Sequence, residues 1–141
     1  MLASAALSAS GASAADLHAS ATVDVTVKGL RSSKGVLRLM ICPPAADFPN
    51  CGTKAVRTAT LPISNGEAKV RIPDLPVGTY AIGVFHDANA NGKLDTMLGI
   101  PGEGYGFSRN PPFRPRAPRF DEAKITLEGE KSVDISLRYI W

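Results

Sequence analysis

The chain has 141 residues, 44% hydrophobic and 21% charged, which is enough for one globular domain with a core and too little for a second domain. Its formal net charge of +3 is too small to predict nucleic-acid binding from charge alone. After residue 15, no run approaches the roughly 20 apolar residues that a membrane helix needs, so no transmembrane segment is expected.

The chain opens with a stretch of small, uncharged residues, 1–15, that ends in Ala12-Ser13-Ala14 followed by Ala15. Such an ending is typical of a signal-peptidase site, and the stretch is interpreted as a signal peptide or the remnant of one. Export to the periplasm or out of the cell is therefore expected, with a single folded domain over 21–140. The alternative is an Ala/Ser-rich tail without regular structure.

Apolar and polar residues then alternate with a period of two, which is typical of strands with one buried face. The clearest case is 21–27, and Asn65-Gly66 between two later segments is a strong hairpin signal. Seven such strands predict an all-β fold, an antiparallel β-sandwich that is immunoglobulin-like or prealbumin-like, because a single sheet would leave one apolar face in water. The other six segments are 35–42, 55–63, 67–72, 78–87, 124–127 and 132–139.

Cys42 and Cys51 bracket a short segment that contains three prolines. In an exported protein, two cysteines that close so short a loop most often form a disulfide. The alternatives are a pair of metal thiolates or a redox couple, but zinc prefers four ligands and redox pairs usually have Cys-x-x-Cys spacing. A disulfide between Cys42 and Cys51 is therefore predicted.

Residues 88–122 show no clear strand, and a loop of that length in a compact domain is normally functional or disordered. The part through Asn110 is rich in glycine and aromatic residues, and we expect it to be ordered. The segment from Pro111 to Arg119 is interpreted as an extended, polyproline-like arm.

The loop and the segment before it contain a series of motifs, which are Gly78-Thr79-Tyr80-Ala81-Ile82, Val84-Phe85-His86-Asp87, Asn89, Asn91-Gly92-Lys93-Leu94-Asp95, Gly99-Ile100-Pro101 and Glu103-Gly104-Tyr105-Gly106-Phe107-Ser108. Together they resemble the signature of an exported bacterial family known as DUF2141. The resemblance covers about residues 21 to 140 and implies an exported single domain of β-sandwich type, with an uncharacterised role.

Oxygen-bearing side chains recur at alternate positions from residue 87, and a glycine follows where the backbone must turn. This spacing predicts a calcium site, but not an EF-hand, because the twelfth position counted from Asp87 is Leu98 instead of a bidentate Glu. The alternative is an Asx-rich turn that hydrogen-bonds its own backbone and binds no ion. The expected ligands are Asp87, Asn89, Asn91, the Lys93 carbonyl, Asp95 and Glu103.

His86 directly precedes this loop and suggests a second interpretation, in which it is a general base partnered by one of the loop carboxylates. A single histidine at the end of an apolar strand is more often a packed or hydrogen-bonded residue. No nucleophile motif such as Gly-x-Ser-x-Gly accompanies it. The chain is therefore not expected to be an enzyme.

Tyr105 and Phe107 alternate with glycines and are followed by Arg109, a composition that suits binding of a sugar or a peptide. The alternative is a self-packed loop whose rings cap the open end of the sandwich. We expect a calcium-stabilised binding or scaffold module of the bacterial envelope, with a polysaccharide or protein ligand. The alternatives are a small periplasmic enzyme and a small-ligand carrier.

Overall fold

Alternating apolar residues turn one face of each long strand toward the interior. The computed structural model describes residues 20–44, 48–90, 96–97, 100–101 and 103–139. The predicted signal segment, 1–15, lies outside these residues. In chain order the strands are β1 (Ser20–Lys28), β2 (Val36–Cys42), β3 (Arg57–Leu61), β4 (Glu67–Pro76), β5 (Gly78–Asp87), β6 (Thr96–Met97), β7 (Ile100–Pro101), β8 (Tyr105–Phe107), β9 (Lys124–Leu127) and β10 (Gly129–Ser136).

Two sheets pack face to face. The first has the order β10-β1-β4, and the second has the order β3-β2-β5-β8, with β9 also paired to β5. The strands β6 and β7 pair only with each other among the described residues. The predicted all-β sandwich is confirmed. One pairing departs from the antiparallel pattern, because β10 runs parallel to β1, from Ala21 opposite Gly129 to Lys28 opposite Ser136.

The core lies between the sheets and consists of the inward residues of both. Every second residue of β1, β2 and β5 is buried, as the period-two pattern requires. These residues share one continuous apolar cluster with inward residues of β4, β9 and β10. Its largest fully buried side chains include Leu37, Ile41, Leu61, Leu75, Ile82, Leu127 and Ile135.

The predicted turn at Asn65-Gly66 is present, with φ values of 53° and 75°. Both residues therefore have positive φ, as a type I′ turn requires. One bridge, Ser64 to Glu67, closes the turn. The strand before the turn, β3, belongs to the second sheet, and the strand after it, β4, belongs to the first. The turn therefore connects the two layers of the sandwich instead of two neighbouring strands of one sheet.

In the described part of the segment 88–122, which was predicted to lack clear strands, there are three short strands, and a four-residue helix, α1 (Phe120–Ala123), begins near its end. The expectation was wrong for β8, which adds to the second sheet by pairing with residues 83–85 of β5. The arm from Pro111 to Arg119 has no helix or strand and bends at Pro115 and Arg116. No helix among the described residues is long and apolar enough to span a membrane.

The predicted disulfide between Cys42 and Cys51 is present. It lies on the outer face of the second sheet, because Cys42 follows the inward-facing Ile41 in β2. Met40, Phe48 and the disulfide form a small second cluster there. The disulfide therefore ties the loop after β2 to the outer face of the second sheet, where Phe48 of this loop also contacts Phe107 of β8.

Candidate functional site

Asp87, the first predicted calcium ligand, ends β5 and is fully buried. Arg38 of β2 donates Nε to the Asp87 Oδ2 atom at 2.6 Å, and its Nη1 atom donates to the Thr60 hydroxyl at 3.2 Å. A Cβ on Gly35 would lie 2.1 Å from the Asp87 carbonyl oxygen, so only glycine allows the chain before β2 to approach so closely. Asp87 is therefore held by both its backbone and its carboxylate.

Glu103 folds back toward the end of β5. Its Oε2 atom accepts a hydrogen bond from the Ala88 N–H at 3.0 Å, and the Glu103 side chain is buried. Asn89 lies one residue further along and is exposed. The other expected ligands, Asn91, Lys93 and Asp95, lie outside the described residues. In the described part of the chain, no group of three or more His, Cys, Asp or Glu side chains is placed to hold a metal ion.

His86 is buried, and both of its ring nitrogens have hydrogen-bond partners. Its Nε2 atom lies 2.8 Å from the Lys34 carbonyl oxygen and its Nδ1 atom lies 2.8 Å from the Tyr139 hydroxyl. A carbonyl can only accept, so the neutral ring carries its hydrogen on Nε2 and accepts the Tyr139 proton at Nδ1. Burial raises the pKa of Tyr139, partly offset by its contact with Arg31, which keeps the hydroxyl protonated for this role. The geometry gives His86 a structural task.

The rings of β8 point to the outer face of the second sheet. A Cβ on Gly106 would lie 2.7 Å from Cγ2 of the core residue Ile135, so the inward position between the rings has room only for glycine. Phe107 contacts Phe48 edge to face at 5.5 Å between centroids, and Tyr105 lies 5.7 Å from Phe107. Both rings are half-buried. They are therefore anchored by packing while keeping part of their surface open.

The arm, residues 111–119, is fixed by one carboxylate. Arg114 Nε lies 3.2 Å and Arg116 Nη1 lies 2.7 Å from Glu122 oxygens, and the Arg119 N–H donates to Glu122 Oε1 at 2.8 Å. Glu122 lies in the first turn of α1. The Arg116 guanidinium, helped by the Arg119 N–H, lowers the pKa of Glu122 to about 2. The carboxylate is therefore ionised at neutral pH and orders the arm.

Between the arm and β8 runs a shallow groove that also includes Arg138. We call it the arm groove. One part of it is a cleft of about 100 Å³ that reaches Asn110 and Leu137. The neighbouring part is lined by prolines of the arm, by Phe113 and by Arg114, Arg116 and Glu122. Tyr105 and Phe107, two of the predicted ligand-binding residues, line both parts.

Arg109, the third predicted ligand-binding residue, lies elsewhere. It has a φ of 67°, and its Nη1 atom donates to the Asp121 carbonyl at 3.2 Å. Its side chain therefore bonds to the backbone of α1 and does not line the arm groove. Arg138 is the guanidinium that lies beside Tyr105, because the two residues form a backbone bridge with hydrogen bonds of 2.8 and 3.0 Å.

Comparison with protein families identifies the chain. A family model described as "Uncharacterized protein conserved in bacteria (DUF2141)" matches residues 25–136. The chain belongs to the DUF2141 family. Comparisons with curated proteins and with solved structures gave no match. The match begins within β1 and ends at the last residue of β10, so it includes the end of β5, β8 and the arm of this DUF2141 protein. Arg138, which lines the arm groove, lies two residues beyond it.

Four residues that shape these sites were not singled out from the sequence: Arg38, Glu122, Arg138 and Tyr139. Arg38, Arg138 and Tyr139 each act on a residue that is distant in the chain, as Arg38 does on Asp87, 49 residues away. For Glu122 there was a local signal, because its distance of three residues from Arg119 fits the N3 position of a helix start. The DUF2141 motif itself ends at Ser108 and gives no sign of Arg138.

Proposed function

We propose that this DUF2141 protein is an exported ligand-binding module of the bacterial envelope, with the arm groove as its binding surface. The observation that carries the proposal is the placement of Phe113 beside Arg138. The Phe113 side chain is 57% exposed, and the Arg138 guanidinium lies 5.8 Å from its ring centroid. Exposed aromatic and arginine side chains held on an ordered surface are typical of the residues that dominate binding energy.

The ordering of the arm supports this role, because a preorganised surface loses less entropy when a ligand binds. The arm is stiffened by Pro111, Pro112, Pro115 and Pro118, and Glu122 holds it against α1. The disulfide and the signal-like segment 1–15 support export.

We propose further that calcium stabilises the loop that follows β5. Asp87, Asn89 and Glu103 offer the carboxylate and amide oxygens that calcium prefers. A carboxylate has about four acceptor positions, so the bonds from Arg38 to Asp87 and from Ala88 to Glu103 are compatible with ion binding. When bound, the ion would neutralise these carboxylates and hold the loop next to β8.

Binding to the envelope tests the main proposal. Purified protein is mixed with washed bacterial envelope fragments, and the fraction that sediments is measured as a function of fragment concentration. Phe113→Ala and Arg138→Gln should each weaken binding about 10-fold or more, the size of effect seen at binding hot spots. Val77→Ala and Lys69→Gln remove comparable exposed groups away from the groove and should leave binding unchanged. Equal binding by all four variants would refute the proposal.

Thermal unfolding tests the calcium proposal separately. Calcium should raise the melting temperature of the wild type in a concentration-dependent way, because a ligand that binds only the folded state stabilises it. Asp95→Asn should abolish the shift, whereas Asp134→Asn, an exposed position on β10, should retain it. An unchanged wild-type melting temperature up to millimolar calcium would contradict this part of the proposal.

A further inference from the structure

The charges that line the arm groove limit the ligand that fits it. They are the guanidinium groups of Arg114, Arg116 and Arg138 and the carboxylate of Glu122, which together give +2. Glu122 already accepts hydrogen bonds from Arg114 and Arg116. Arg138 forms no ion pair with any described residue and contacts the Phe113 ring instead. Arg138 is therefore the cation that the groove offers to an anionic ligand.

A guanidinium binds a carboxylate through two parallel N–H···O bonds, which fix the orientation of the anion as well as its position. The groove has one such group that is not already paired within the described structure. A ligand with one carboxylate for each recognised unit matches this arrangement. A polymer with several charges on each unit would need further cations, and Arg114 and Arg116 are shared with Glu122.

The remaining lining is apolar and ring-shaped. Phe113 and the half-buried Tyr105 flank Arg138, and Pro111 and Pro112 complete the wall. An aromatic face packs well against the C–H groups of a pyranose ring, and prolines and packed rings present this surface with little loss of entropy. The cleft of about 100 Å³, which Tyr105, Pro111 and Arg138 line, is large enough for part of one sugar unit and too small to enclose a folded peptide segment. Phe113 lines the adjoining part of the groove, which shares these three residues with the cleft.

We infer that the arm groove binds a carboxylated sugar, a uronic acid unit of an acidic polysaccharide, with its carboxylate on Arg138 and its ring against Phe113. This inference rests on the proposed binding function and names the ligand class for the same groove. An acidic peptide would satisfy Arg138 but not use the ring surface. An anionic lipid surface would need cations spread over a plane, whereas here three guanidinium groups converge on one groove.

Four soluble probes separate these ligand classes by calorimetric titration of the full chain at low and physiological salt. Trigalacturonate carries both the sugar ring and the carboxylate. Its methyl ester keeps the ring and lacks the charge, a short polyglutamate keeps the carboxylates and lacks the ring, and maltotriose is a neutral sugar. Vesicles of phosphatidylglycerol form a fifth probe for the lipid alternative.

Trigalacturonate should bind most tightly, and its methyl ester about 10- to 100-fold more weakly, the range expected for loss of a charge-assisted hydrogen bond pair. Arg138→Gln should lower the affinity for trigalacturonate to that of the ester, and it should leave the weak binding of the ester unchanged. Phe113→Ala should weaken binding of both sugars. Lys69→Gln, which removes a charge from the other sheet, is the control and should have no effect.

The inference is overturned if trigalacturonate does not bind, if polyglutamate or the vesicles bind as tightly as trigalacturonate, or if Lys69→Gln weakens binding as much as Arg138→Gln. The last result would indicate a general attraction of a basic protein for anions. In each case, sensitivity of envelope sedimentation to Phe113→Ala would still support the groove as a binding surface. If that sensitivity were also absent, the proposed function itself would fail.

Discussion

Replacing Arg38 by Met tests the account of the end of β5, because it leaves the Asp87 carboxylate buried without its guanidinium partner. Met keeps an unbranched apolar side chain in the place of the arginine stem. The Asp87 side chain is completely buried, whereas that of Arg38 is 31% exposed. Breaking a buried pair costs about 3–5 kcal/mol, and solvent reaching the exposed part of Arg38 lowers the expectation to about 2–3 kcal/mol.

Urea unfolding followed by circular dichroism, with a chelator present so that no cation replaces the guanidinium, measures this loss. With an m-value of about 1–3 kcal/mol/M, the midpoint should fall by about 1–2 M. Arg71→Met is the matched control, because Arg71 is 55% exposed and pairs with exposed carboxylates, so its loss should cost less than about 1 kcal/mol.

A double variant adds a second check. Asp87→Asn in the Arg38→Met background removes the buried charge that has lost its guanidinium and should recover part of the lost stability, which gives a favourable coupling between the two positions. Equal costs for Arg38→Met and Arg71→Met, or no recovery in the double variant, would refute the conclusion that the pair holds the end of β5.

Three further predictions concern other parts of the fold. Gly35→Ala should cost more than about 3 kcal/mol in urea unfolding because its Cβ would overlap the Asp87 carbonyl, whereas Gly52→Ala, also at positive φ but with open space around it, should cost only about 1 kcal/mol. Ser108→Ala should lower the free energy of unfolding by about 1–3 kcal/mol, since the buried hydroxyl bonds the Ile82 N–H and a carbonyl that would lose their partner. A loss below about 0.5 kcal/mol, the size typical of a surface substitution, would contradict that role. The Glu122 pKa is lowered, so its stabilisation of the arm is complete above pH of about 4.5 and is lost as the pH falls toward about 2. The protection of the arm amides, measured as the exchange rate relative to the intrinsic rate at the same pH, should fall over that window, and in Glu122→Gln it should be low at every pH.

The strands of the core were predictable because a period of two shows directly which residues face inward. Residues 21–27 alternate over their whole length and form most of β1, and 78–87 form β5 with the expected bounds, although β5 is buried on both faces from Tyr80 to Val84. Asn65-Gly66 and the cysteine pair were equally clear, since backbone conformation and loop closure are local properties. Nothing in such a pattern specifies the neighbouring strand, so the parallel pairing of β10 with β1 could not be derived from it.

Strand β8 was missed for a different physical reason. Its inward position is Gly106, because Ile135 of the opposite sheet occupies the space of a side chain, and its large residues face outward. The usual signal of an apolar inward residue is therefore inverted. The end of β5 is held by Arg38, which meets Asp87 only when β2 and β5 have paired. The arm is held by Glu122, which faces Arg116 only when α1 has formed.

The most direct test of the account is a map of where envelope material contacts the protein. Hydrogen exchange is measured for the free chain and for the chain bound to washed envelope fragments. We predict that protection increases in β8, in the arm and around Arg138. Exchange in β3 and β4, which lie at the other edge of the two sheets, should be unchanged. Protection confined to β3 and β4, or no change in the arm groove on binding, would contradict the claim that this groove is the ligand site.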